Sequence, residues 1–292
     1  MTLPSTYARP VALDQEEAAA VTAEIERRRA DAQRWLREHP TSYLATVERR
    51  EFGERVTLSV GSGRGVDVRI DDSGILPRHV AVTVLSGGFR VAALDPRARF
   101  RVGGVEQSEA YLDPGFVELG RYRLRLSHQG FPAIVVMDAE KLRDHEPVWL
   151  RYFPIDLSYR FLAPLTRADR PAEFTILSTR GNQRRALRVG WFDLEIDGQP
   201  VRVEATRLLE PGVGESAHAV YFRDRTTGGE SYPIGRYLDP EPLPDGAFLV
   251  DFNLAYNPAC AFSPHYNCPI PTAENDLPVE IRAGEMTPFE MH

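Results

Sequence analysis

The stretch VTLSVGSGRGVDVRIDDSGILPRHVAVTVLSGGFRVAAL, residues 56–94, alternates short runs of β-branched and apolar residues with clusters of Gly, Ser, Asp and Pro. Runs of this length bounded by turn formers read as strands, because branched side chains pack well on a pleated surface and glycine or aspartate lets the chain reverse. The expected strands are Val56–Val60, Val66–Ile70, His79–Leu85 and Phe89–Leu94, followed by Tyr122–Ser127 and Ala133–Met137. Strands so short and so regularly interrupted predict a β-sandwich.

Upstream, residues 14–39 carry a helical pattern instead. Asp14 and Glu17 stand three apart as in a capping box, Val21, Ile25, Ala32 and Trp35 or Leu36 form an apolar stripe, and Pro40 ends it. Downstream, the polar interval DAEKLRDHEP (138–147) gives way to a second β region from Trp149. Its strands are expected at Glu173–Leu177, Leu187–Ile196, Gln199–Arg207, Ala217–Phe222 and Ala247–Asp251. The expectation is a mainly β chain: a helical segment at 1–45, a sandwich at 46–140, and a second all-β domain at 141–292 with a long ordered loop region at its end.

A net charge of −7 lacks the concentrated basic face that phosphate backbones require, so nucleic acid is not an expected partner. No run reaches the roughly 18 apolar residues of a membrane span, and the N-terminus lacks a basic stretch, apolar block and cleavage site, so a soluble, cytoplasmic protein is expected. Lys141 is the one lysine among 35 basic residues, which makes each arginine ordinary here.

Two segments concentrate chemistry. RDRTTGGESYPIGRYLD (223–239) offers Asp224, Thr226, Glu230, Tyr232, Arg236 and Tyr237 around glycines that permit tight turns. DFNLAYNPACAF (251–262) offers Asp251, Asn253, Tyr256 and Asn257, and Glu274 and Asn275 follow. Such a cluster on loops suits a small polar molecule or a peptide, and it also suits an internal network that satisfies irregular backbone. Cys260 and Cys268 bracket seven residues that include His265, leaving a local disulfide, a metal site or two reduced thiols open, and no metal or cofactor is expected. No phosphate loop, serine elbow or dinucleotide fingerprint occurs.

Residues 60–126 resemble a forkhead-associated domain. VGSGRGVDVRIDD fits that family's first signature, ILPRHV the second, and LDPGFVELG the closing pattern, with VGGV where an Asn-Gly turn is usual. The resemblance implies a β-sandwich with His79 bracing its loops. It does not imply phosphothreonine binding, because Ser62, Leu76 and Gly103 stand where that family places its phosphate-gripping arginine, serine and asparagine. The chain as a whole, through its N-terminal helix, RYFPIDLSYRFLAPL (151–165), YFRDRTTGGESYPIGRYLD (221–239) and the terminal IRAGE (281–285), resembles an uncharacterised bacterial and archaeal family known as domain of unknown function 1684. That resemblance implies no activity. The expected role is non-catalytic binding of a small polar ligand or peptide at the C-terminal cluster. The alternatives are a hydrolase-type enzyme drawing acid and base from Asp224, Glu230, Asp251 or Glu274 with Arg236 holding an anion, and an interaction scaffold acting through the sandwich; whether the protein is an enzyme is left open.

Overall fold

The computed structural model describes residues 7–143 and 148–288 and, for residues 168–171, the backbone alone. The chain is mainly β with one long helix, and it forms two compact units: Met1–Trp35 with Pro147–Leu209 and Gly214–His292, and Leu36–Glu146 with Glu210–Val213. Among the described residues no helix is long and apolar enough to cross a membrane.

The middle unit pairs a six-stranded sheet with a five-stranded one. The first runs Thr46–Glu51, Ala133–Asp138, Tyr122–Ser127, Gly115–Leu119, Phe100–Val102, Val105–Gln107, and the second Val68–Arg69, Thr57–Gly61, Val80–Val84, Phe89–Ala93, Glu109–Leu112. Alternation supplies the core: Leu58, Val60, Val80, Val82, Phe89 and Val91 face Val117, Leu119, Leu124, Leu126 and Ile134 across the layer. His79 braces the turns, accepting from the Leu76 N–H at Nδ1 (3.1 Å) while Nε2 meets the Arg99 carbonyl (2.8 Å). Gly61 allows a close approach, since a Cβ there would sit 2.4 Å from the Pro77 carbonyl oxygen. Ser62 is spent locally, its hydroxyl donating to the Ile75 carbonyl at 2.7 Å.

The other unit is built on a three-stranded meander, Thr166–Leu177, Gln183–Ile196 and Gln199–Leu208. A smaller sheet (Arg160–Pro164, Ala247–Asp251, Glu241–Pro242) and the pair Val220–Phe222 and Arg236–Leu238 complete its ladders. Phe161, Phe192, Leu194, Val203, Phe222, Phe252 and Ile281 fill its core. After Asp251 no regular ladder continues; three short 3₁₀ turns and extended segments run to Pro288.

The helix Gln15–Glu38 starts as its sequence dictates. Asp14 Oδ1 accepts from the Glu16 and Glu17 N–H groups, each at 2.9 Å, and Glu17 Oε2 accepts from the Asp14 N–H at 3.0 Å. Where the sequence sets off 1–45 as a helical segment, the contacts group Met1–Trp35 with Pro147–Leu209 and Gly214–His292. Gln33 is the reason on the polar side, donating to the Val148 carbonyl (3.0 Å) and accepting from Leu150 (2.7 Å), while Ile25 is buried on the apolar side.

Candidate functional site

Asp224 and Arg236 form a buried ion pair, with both side chains fully enclosed. Arg236 Nη2 donates to Asp224 Oδ2 at 2.8 Å and to the Ile281 carbonyl at 2.7 Å, and Nη1 donates to the carbonyls of Ala283 and Glu285. The guanidinium lies between the rings of Phe153 and Phe222, and burial pulls its pKa down against the field of Asp224. Asp224 also accepts from the Ile281 N–H and, through Oδ1, from the N–H and hydroxyl of Thr226. The Thr226 hydroxyl meets Ser231 at 2.9 Å. This constellation is therefore an internal tie between the 223–237 hairpin and the 281–285 segment.

The remaining candidates separate. Asp251 pairs with Arg160 and accepts from Asn253, whose amide also holds both backbone groups of Asp156. Asn275 spends its amide on Glu204 N–H and carbonyl and on the Tyr221 carbonyl, all within 2.9 Å. Tyr237 donates to the Pro269 carbonyl and packs against Tyr221 and Tyr256. Glu230 and Glu274 are exposed, facing Arg282 and Arg188. The twelve candidates thus do not converge on one point, because the irregular tail must satisfy its buried backbone groups from side chains. Two clefts remain beside them, each touching some of the candidates.

The first cleft, about 320 Å³, is lined by Arg28, Arg29 and Ala32 of the helix and by Tyr152, Leu238, Asp239, the segment Asn253 to Tyr256, and Glu285. Glu285 is placed by Gly284, whose φ of +80° only glycine adopts easily and where a Cβ would strike the Phe252 and Ala255 carbonyls. The Glu285 N–H then donates to the Ala255 carbonyl at 2.8 Å. Its carboxyl accepts from the Asn257 N–H (2.8 Å) and from the Tyr152 hydroxyl, and burial raises its pKa to about 7. Arg29 stacks over Tyr152 at 4.5 Å and donates to the carbonyls of Phe153 (3.0 Å) and Asn253 (3.4 Å). Its buried Nε–H has no hydrogen-bond partner among the described residues. At the mouth, the Tyr256 hydroxyl donates to Asp239 at 2.9 Å.

Of the candidates read from sequence, Asn253 and Tyr256 line this cleft, and Asn257 holds Glu285 from behind. Arg29, Tyr152, Asp239 and Glu285 were missed. Arg29 left a signal: with Ile25, Ala32 and Leu36 it follows the 4-3-4 spacing of one helix face, and an arginine within an apolar stripe is out of place unless it has work there. Glu285 left none beyond the IRAGE string.

The second cleft, about 540 Å³ and more open, is lined by Thr179, Arg180, Tyr232, Ile234, Cys260, Pro264 and Tyr266. His265 does not join the two thiols as a metal centre: among the described residues no three His, Cys, Asp or Glu side chains gather to hold an ion.

Residues 148–286 match the model of the family described as Protein of unknown function (DUF1684). An uncharacterised protein of Haloarcula marismortui, solved in solution, is 35% identical over 52% of this chain and 82% of its own, with a TM-score of 0.40. The second forkhead-associated domain of an ABC transporter from Mycobacterium tuberculosis is 19% identical over 25% of this chain and 68% of its own, with a TM-score of 0.23. No curated protein matches the sequence.

Proposed function

We propose that the protein binds a small polar ligand, without transforming it, in the cleft between the helix and the C-terminal tail. The observation that carries this is Arg29, a cation on the apolar stripe of its helix that lines an open cleft and is partly desolvated there. A charge-assisted hydrogen bond to a guanidinium is worth roughly 1.5–3 kcal/mol, so a ligand oxygen that met Arg29 in the cleft would gain affinity from it. Asp239 at the mouth supplies an acceptor, so the matching ligand carries an anionic or carbonyl oxygen at one end and a donor at the other, as amino acids and short peptides do.

The test is a thermal-shift and titration panel of free amino acids, dipeptides, dicarboxylates and sugars against the folded chain and its Arg29→Met variant. At least one class should raise the unfolding temperature, and the variant should bind it about tenfold or more weakly, as expected for loss of a charge-assisted bond. A panel without binders, or equal binding by the variant, refutes the proposal.

Glu285 favours a second reading, a hydrolase-type enzyme. A carboxyl titrating near neutrality in a cleft wall can donate and retrieve a proton, whereas Asp224 and Asp251 are held in buried ion pairs. Glu285→Gln would then abolish turnover of a ligand that still binds; turnover surviving in that variant removes this reading.

A further inference from the structure

We propose that Cys260 and Cys268 are a redox-active dithiol, with Cys260 the attacking thiol in the open cleft and Cys268 the buried thiol that closes the disulfide. Both cysteines are free in the structure. Cys268 is held against its partner: the Cys260 N–H donates to Cys268 Sγ at 3.3 Å, and the two side chains are in hydrogen-bond contact. The position is fixed from both sides of the Cys268 backbone. Its N–H donates to the Thr179 hydroxyl (3.1 Å), its carbonyl accepts from the Thr179 N–H (2.9 Å), and Ser178 bridges to Pro269. The loop of seven residues between the cysteines therefore returns one sulfur to the other.

The two thiols are unequal in access and in environment. Cys260 is half-buried and lines the second cleft beside Tyr232, Thr179 and Arg180, whereas Cys268 is buried and does not line it. Contact with the Cys268 thiol, with the Tyr232 and Thr179 hydroxyls close by, pulls the pKa of Cys260 below the ordinary thiol value, while those two hydroxyls donate to the Cys260 and Tyr266 carbonyls. The same contact, with burial, drives Cys268 strongly upward, so the pair carries one proton that stays and one that leaves. A single, accessible, donor-stabilised thiolate with a resolving thiol beside it is the arrangement thiol–disulfide exchange needs.

The co-reactant is a small disulfide. The Cys260 thiolate attacks one of its sulfurs, forming a mixed disulfide and expelling a thiolate that takes up a proton. With Cys260 no longer charged, the repulsion that held the Cys268 proton is gone. Cys268 loses it, attacks Cys260 Sγ, and releases the second small thiol. Two protein thiols are oxidised to one disulfide while one small disulfide is reduced to two thiols.

Oxidised glutathione is a suitable probe, with the reduced full-length chain, acid quenching, alkylation and intact-mass readout. The wild type should lose two hydrogens and retain no adduct. Cys268→Ser should accumulate one glutathione adduct, mapped to Cys260, whereas Cys260→Ser should react about tenfold more slowly at Cys268. The urea-denatured wild type should close its disulfide about tenfold more slowly than the folded chain, since the fold supplies both the thiolate and the proximity. Wild-type protein that keeps both thiols free, an adduct that prefers Cys268, or equal rates in folded and denatured chains would each overturn the proposal; the wild-type result needs no variant to fold.

Discussion

Arg236→Met is expected to destabilise the C-terminal unit by about 3–5 kcal/mol, enough to unfold a marginal domain. The methionine fills much of the arginine's volume between Phe153 and Phe222, so the loss is electrostatic and not a cavity effect. It leaves Asp224 charged in a fully enclosed position, and it strips the carbonyls of Ile281, Ala283 and Glu285 of their donor. The Asp224→Asn, Arg236→Met double variant should lose less than the sum of the two single changes, because the buried charge left by the first is removed by the second. Urea unfolding of the four proteins, followed by tryptophan fluorescence, measures this. A loss below about 1 kcal/mol in Arg236→Met would mean that the pair contributes no more than an exposed one does. The ligand proposal depends on this tie indirectly, since the segment anchored by Arg236 is the one that delivers Glu285 to the cleft.

The legibility of the chain follows from which forces have a local signature. The helix was readable because capping and an apolar stripe are properties of neighbours three and four residues apart, and Asp14 with Glu17 behaves accordingly. Strands such as Tyr122–Ser127 and Ala247–Asp251 were readable to the residue because they alternate and end at turn formers. The short strands Phe100–Val102, Arg160–Pro164 and Arg236–Leu238 were not, since each is a strand only by virtue of a distant partner. The polar cluster stands out in the sequence, yet its residue types do not say whether a side chain faces a ligand or the chain's own backbone. Asn275 illustrates the ambiguity: its amide could have read a ligand, and instead it binds Glu204 and Tyr221 across more than fifty residues of sequence. Glu285 was invisible for the complementary reason. Nothing in Gly-Glu at 284–285 predicts that a left-handed glycine will turn the next carboxyl into a wall formed by the helix, Tyr152 and Asn257.

Glu285→Gln is expected to flatten the dependence of stability on pH and to make the protein more stable than the wild type above neutrality. The ordinary carboxyl value is 4.5 and the folded value is about 7, raised first by burial, with the Asn257 and Tyr152 hydrogen bonds and the nearby Arg236 opposing. Below 4.5 both folded and unfolded chains hold the proton, and the contribution to stability is fully present. Between that value and about 7 the folded chain holds it and the unfolded chain does not, so each rise in pH withdraws stability until the folded carboxyl also ionises. A shift of this size corresponds to a loss of roughly 2–3 kcal/mol between about pH 5 and about pH 8. Glutamine keeps an acceptor for the Asn257 N–H and for the Tyr152 hydroxyl without a charge to ionise, so the variant should lose little over the same range. Glu204 is also raised by burial, against Arg188, and its slope has the same sign, which leaves a residual decline in the variant. Denaturant titrations of both proteins at the two pH values measure the difference directly. Parallel pH dependences would place the Glu285 ionisation back in the ordinary carboxyl range, and with it would go the proton-transfer role, while Arg29 and the cleft it lines would still be open to a ligand.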